Sequence, residues 1–166
     1  MGNDWWSYLD RLETMVFFTG YPLIYATVLV INNSFKKKPA FLGTVVTLLP
    51  FAYALAGTLF LGLILRDLYP DYSIKNISVY FDHSYLKMWG LLSLLFWIPL
   101  FAKKKAISLF HSLLFFFFFA KDIFFTDHNM MKNEIKIYTD SLLLHIITLT
   151  STIFLFFLIK KVRGKN

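Results

Sequence analysis

Two histidines carry the most suggestive chemistry in this chain. Each lies inside a long apolar run, where an ionisable side chain is a functional candidate by default. His111 falls about six residues into the run that starts at Ala106, and His145 about six residues into the run that starts at Thr139. Each is then roughly 9 Å from the start of its own run, and the two runs begin on opposite sides of a 30 Å core, so the rings should be separated by about 12 Å along its normal. A single site using both is not expected. Each reads either as a hydrogen-bonded packing residue or as a proton relay or ligand.

His145 belongs to a larger pattern. Ser141, His145, Thr148 and Thr152 recur at helical spacing and share one face. That polar stripe is either a face for interhelical hydrogen bonds, worth on average about 0.6 kcal/mol each in a membrane, or the lining of a pore or cavity. In both cases it turns away from lipid, where its groups would lack partners.

Outside the apolar runs, the dipeptide Asp-His occurs twice, as Asp82-His83 and Asp127-His128. Imidazole and carboxylate together can bind Zn²⁺ or a similar ion, and Glu134 could add an oxygen. The spacing follows no helical metal motif, so these four are weak metal candidates beside the plain reading of solvated loop residues, and no cofactor is expected. The chain has no cysteine, which removes disulfides, thiolate metal sites and cysteine nucleophiles. It has no glycine-rich phosphate loop, no G-x-S-x-G elbow and no H-E-x-x-H pair. The chemistry points away from an enzyme.

The elements that hold these residues follow from composition. Of 166 residues, 57% are hydrophobic and 20% aromatic, including twenty phenylalanines, more apolar surface than a globular chain of this length could hide. Five runs are long enough to cross a bilayer, about Thr14 to Ile31, Phe41 to Leu65, Leu86 to Ala102, Ala106 to Phe125 and Thr139 to Ile159. Lysine clusters follow the first run (Lys36, Lys37, Lys38), the third (Lys103, Lys104, Lys105) and the fifth (Lys160, Lys161, Arg163, Lys165). If the runs alternate in direction, these clusters share one side with no acidic residue among them. By the positive-inside rule that side is cytoplasmic. The expected fold is an all-α integral membrane protein, a bundle of five transmembrane helices with its N-terminus outside and its C-terminus cytoplasmic. The net charge of +7 is then a topology signal, and no nucleic acid is expected.

Smaller features fit this plan. Trp5, Leu9, Leu12 and Val16 fall at helical spacing, which predicts a short interfacial helix over about residues 4 to 13. No cleavable signal is expected, because the N-terminus lacks a basic segment. Lys121 and Asp122 sit near the outer end of the fourth run and read as an interfacial anchor. Gly43, Gly57 and Gly62 offer close helix approach in the second run, and Pro50 predicts a kink there. The short basic stretch after residue 102 predicts a tight hairpin between runs three and four. The tyrosine-rich segment 66 to 86 is the place for an external partner contact.

These observations lead to a polytopic protein of the plasma or inner membrane that self-associates to form or regulate a channel. The alternative is an accessory subunit packed against a larger membrane complex, and the third reading is a lipid-handling enzyme. The partners in view are the lipid bilayer and either further copies of this chain or a larger membrane complex.

Overall fold

A computed structural model describes residues 13–35, 39–82, 85–125 and 131–163. All the regular structure among them is helical, and three helices are long and apolar enough to cross a membrane, Glu13–Ser34, Ala40–Leu68 and Ile135–Arg163. The interfacial helix expected over residues 4 to 13 lies outside the described residues except for Glu13.

The first of these three is interrupted. Residues 13–16 make one helical turn, residues 17–20 are turn, and α1 (Tyr21–Ser34) follows. Pro22 stands at the start of α1 and has no N–H, so the helix cannot run through it with an intact ladder. Thr19 turns its hydroxyl back to the Met15 carbonyl at 2.9 Å, one of the local bonds that competes with helix continuation.

Helix α2 (Ala40–Leu68) is the centre of the molecule. It is one helix across Pro50, and Pro50 itself is buried. After Leu68 a short amphipathic helix, α3 (Ile74–Phe81), starts at an N-cap in which the Ser73 hydroxyl accepts from the Asn76 N–H. It places Ile77, Tyr80 and Phe81 against the core.

The third apolar run is not the single helix expected. It forms α4 (Tyr85–Leu91), a 3₁₀ segment (Leu92–Trp97) and α5 (Pro99–Ala102). The break at Ile98 has a local cause, since the residue before a proline is held extended, and Ile98 has φ −78° and ψ 123°. Two residues then connect to α6 (Lys105–Phe125), which is the tight hairpin between runs three and four. Helix α7 (Met131–Arg163) closes the chain.

Helix α2 packs against α7, the 3₁₀ segment and α1, around a core that includes Phe18, Tyr21, Leu49, Tyr53, Phe60, Phe96 and Phe115. Four contacts fix the registers. Tyr53 of α2 meets His111 of α6 and His145 of α7; Tyr138 of α7 stacks on Phe119 of α6 at 5.0 Å; Phe41 of α2 stacks on Phe157 of α7 at 6.1 Å. Helices α2 and α6 therefore run parallel, and α7 runs antiparallel to both.

Close backbone approach is made by glycines other than most of those expected. A Cβ on Gly20 would lie 2.7 Å from the Leu142 nitrogen and the Ser141 carbonyl carbon, and one on Gly90 would lie 2.7 Å from the Phe18 ring. Gly57 is such a site too, because a Cβ there would run into Ser93. Gly43 and Gly62 face open space, where an added Cβ would meet nothing within 4 Å. Composition marks both as small, and only the helix register shows that their faces point away from the bundle.

A buried cluster of histidines and tyrosines as the candidate functional site

The site begins with tyrosines in apolar helices, because a buried phenol must find a partner for its hydroxyl. Tyr53 lies in the middle of α2 and is fully buried. Its hydroxyl is 2.7 Å from His111 Nδ1, and His111 Nε2 is 2.8 Å from the Trp89 carbonyl. A carbonyl only accepts, so Nε2 carries a proton, and in the neutral ring Nδ1 accepts from the Tyr53 hydroxyl. Trp89 closes the arrangement. Its indole N–H donates to the His111 carbonyl at 3.1 Å, and its ring lies parallel to the imidazole at 5.0 Å. His111 thus has every polar atom engaged and joins α2, α4 and α6.

Tyr21 is the second such phenol. Its hydroxyl is 2.8 Å from Ser108 Oγ, which itself lies 2.8 Å from the Lys105 carbonyl. The Tyr21 and Tyr53 rings are 4.3 Å apart, and both reach His145, at 5.5 Å and 6.1 Å between ring centres. The two histidines are therefore packed on one shared tyrosine. A depth counted from sequence had no means of showing this, since it places each residue along the membrane normal and says nothing of which ring fills the space between.

The polar stripe of α7 is buried, with Ser141, His145, Thr148 and Thr152 at 0%, 1%, 1% and 8% exposure. Its members act differently. Ser141 Oγ accepts the Gly20 N–H at 2.8 Å, and this is the donor left open where the first span breaks. Thr148 and Thr152 turn their hydroxyls to carbonyls of their own helix, at 3.2 Å and 2.7 Å. Among the three hydroxyls, only that of Ser141 crosses to another element. His145 lies one turn from Ser141 beside the same break. Neither of its ring nitrogens makes a hydrogen bond of standard geometry, although the Phe17 backbone is within reach. Irregular backbone at membrane depth persists only where protein covers it and satisfies it, and the Ser141 and His145 end of the stripe does both.

Of the other residues singled out from sequence, Lys121 is exposed near the end of α6, and the side chain of Asp122 lies outside the described residues. Asp82 caps the end of α3. His83, Asp127 and His128 lie outside the described residues, and among those described no three His, Asp or Glu side chains gather as a metal site would require. The residues that sequence reading did not single out are Gly20, Tyr21, Tyr53, Trp89 and Ser108. The signals were present, namely a glycine two residues before a proline and phenols at mid-span.

The chain matches no family model, no curated protein and no solved structure.

Proposed function

We propose that this chain is a non-catalytic, multi-pass membrane protein that acts by assembly, as a subunit packed within a larger membrane complex. The observation that carries this reading is the use made of its polar groups. His111 and Ser141 bond to neighbouring elements and Thr148 and Thr152 to their own helix, which leaves them to hold the fold together. Toward its lysine-rich end, α7 is apolar and exposed from Phe154 to Ile159, with Phe157 stacked on Phe41 of α2, as is expected of a helix largely surrounded by lipid or by other membrane helices. In this reading all five apolar runs enter the bilayer, with the N-terminus outside and the C-terminus in the cytoplasm. A reporter fused after Asn166 should then be active in the cytoplasm, and a cysteine at Ser7 should react with an impermeant thiol reagent from outside. The reverse labelling pattern would overturn the orientation.

A second reading, a self-associating channel, draws on the ring nitrogens of His145, which make no hydrogen bond of standard geometry, since a group with spare hydrogen-bonding capacity inside a span suits a water or ion path. Native mass spectrometry in a mild detergent separates the two. The subunit reading expects single protomers or a defined complex with another protein. A closed homo-oligomer that also passes cations in liposomes would replace it with the channel.

A further inference from the structure

The hairpin tip that carries Lys103, Lys104 and Lys105 does not reach the end of the bundle toward which it points. The stacked rings of Phe119 and Tyr138 put α6 and α7 at one level, from which both run toward the lysine-rich end. From that level Lys105 is about 21 Å away along α6, and Lys160 is about 33 Å away along α7. The tip is therefore about 12 Å short of the level of Lys160, Lys161 and Arg163.

The bilayer has to choose between these levels. Helix α7 carries no charge from Asp140 to Lys160, about 30 Å of helix, which equals the hydrocarbon thickness. Asp140 and Lys160 are both exposed, so they mark the two surfaces. Sliding the bilayer to suit the hairpin would put Asp140, whose side chain is too short to snorkel, into hydrocarbon. It would also bring Phe154, Leu155, Leu158 and Ile159 toward water, against the hydrophobic effect. Leaving the bilayer in place costs less, because lysine stems can run along apolar surface and cover part of the 12 Å. Head groups must cover the rest.

We propose that the leaflet is thinned at this hairpin tip, and that Lys103, Lys104 and Lys105 bind the phosphates of anionic phospholipids held deeper than the surrounding head groups. Lys103 and Lys104 are exposed, and Ala106 and Ile107 beside them are exposed as well, so the site opens sideways to lipid. Three adjacent ammonium groups near a membrane surface favour a net negative lipid over a zwitterionic one. The proposal rests on the membrane-spanning reading above and holds for either orientation.

The test uses the full chain in nanodiscs of phosphatidylcholine with or without phosphatidylglycerol. Because the chain has no cysteine, single nitroxide labels can be placed at Ala106 and at Thr150, an exposed residue that the register places about level with the tip. The Ala106 label is expected to be open to a water-soluble relaxing agent and the Thr150 label closed to it. Two closed labels would overturn the thinning, and two open labels would overturn it as well, because the bilayer surface would then lie at the level of the tip all round the bundle. Native mass spectrometry gives the lipid arm. The wild type should retain phosphatidylglycerol about ten-fold over phosphatidylcholine, K103Q/K104Q/K105Q should lose that preference, and K160Q/K161Q should keep most of it. Equal retention in all three proteins, or an equal loss in both variants, would sink the proposal. Displacement by millimolar inorganic phosphate would reassign the site to free phosphate. A chain recovered in buffer without detergent would sink the membrane reading itself, which keeps the two failures apart.

Discussion

Replacing Gly20 by alanine should destabilise the protein by about 3 kcal/mol, the upper part of the range for overpacking a well-filled interior. The reason is what the new methyl group would meet. Its neighbours are the Leu142 nitrogen at 2.7 Å and the Ser141 carbonyl carbon and oxygen at 2.7 and 2.9 Å. All are backbone atoms of α7 and cannot rotate aside as a side chain would. Either α7 moves away or the first span does, and both movements break the Gly20 to Ser141 hydrogen bond. Ser141→Ala removes that bond without the clash and should cost less, about 1 to 2 kcal/mol for a buried N–H left without an acceptor. Gly62→Ala, where nothing lies within 4 Å, should unfold as the wild type does. Thermal unfolding in one detergent across the three variants checks the order. A wild-type midpoint for Gly20→Ala would mean that the first span does not lie against α7 as described.

His111→Ala should cost about 4 kcal/mol. That figure combines about 2 kcal/mol for the cavity left by the small imidazole ring, below the roughly 3 to 5 kcal/mol of the larger Phe and Trp side chains, with about 2 kcal/mol for the lost partners of the Tyr53 hydroxyl and the Trp89 carbonyl. Packing and polarity can be separated with phenylalanine, which keeps a ring. His111→Phe should still lose about 2 kcal/mol, because two buried polar groups lose a partner. His145→Phe should be neutral or slightly stabilising, since it replaces two ring nitrogens that make no standard hydrogen bond and keeps the contacts with Tyr21 and Tyr53. Chemical unfolding of the two phenylalanine variants decides the matter. No loss for His111→Phe would show that His111 serves by its shape alone.

Helix α2 and the long apolar part of α7 could be read directly, since length and hydropathy alone separate such segments from loops. The first run was legible as a span and not as a broken one. Its break depends on Pro22 together with a serine far along the chain, and no local window contains both. The third run misled for a related reason. Apolar composition says that a segment is buried, whereas the neighbours of its irregular part are far along the chain, Ser93 lying against Gly57 and Gly90 against Phe18 and Phe60. In the site, the helical spacing of Ser141, His145, Thr148 and Thr152 revealed a shared face. It did not reveal that Thr148 and Thr152 satisfy themselves on their own helix while Ser141 reaches across. Tyr53 shows the limit most clearly, because a tyrosine in an apolar run carries no spacing that names its partner.

The hydrogen bond from Gly20 to Ser141 also has a consequence for biosynthesis. Its two residues are 121 positions apart, and chains grow at about 5 to 20 residues per second, so the first span exists for roughly 6 to 24 s before its acceptor has been made. Over that time the gap in its backbone ladder has to be shielded by water, by head groups or by the insertion machinery. Helix α7, made long after the first span, is the one that completes it, and until it arrives the early spans form an unfinished unit.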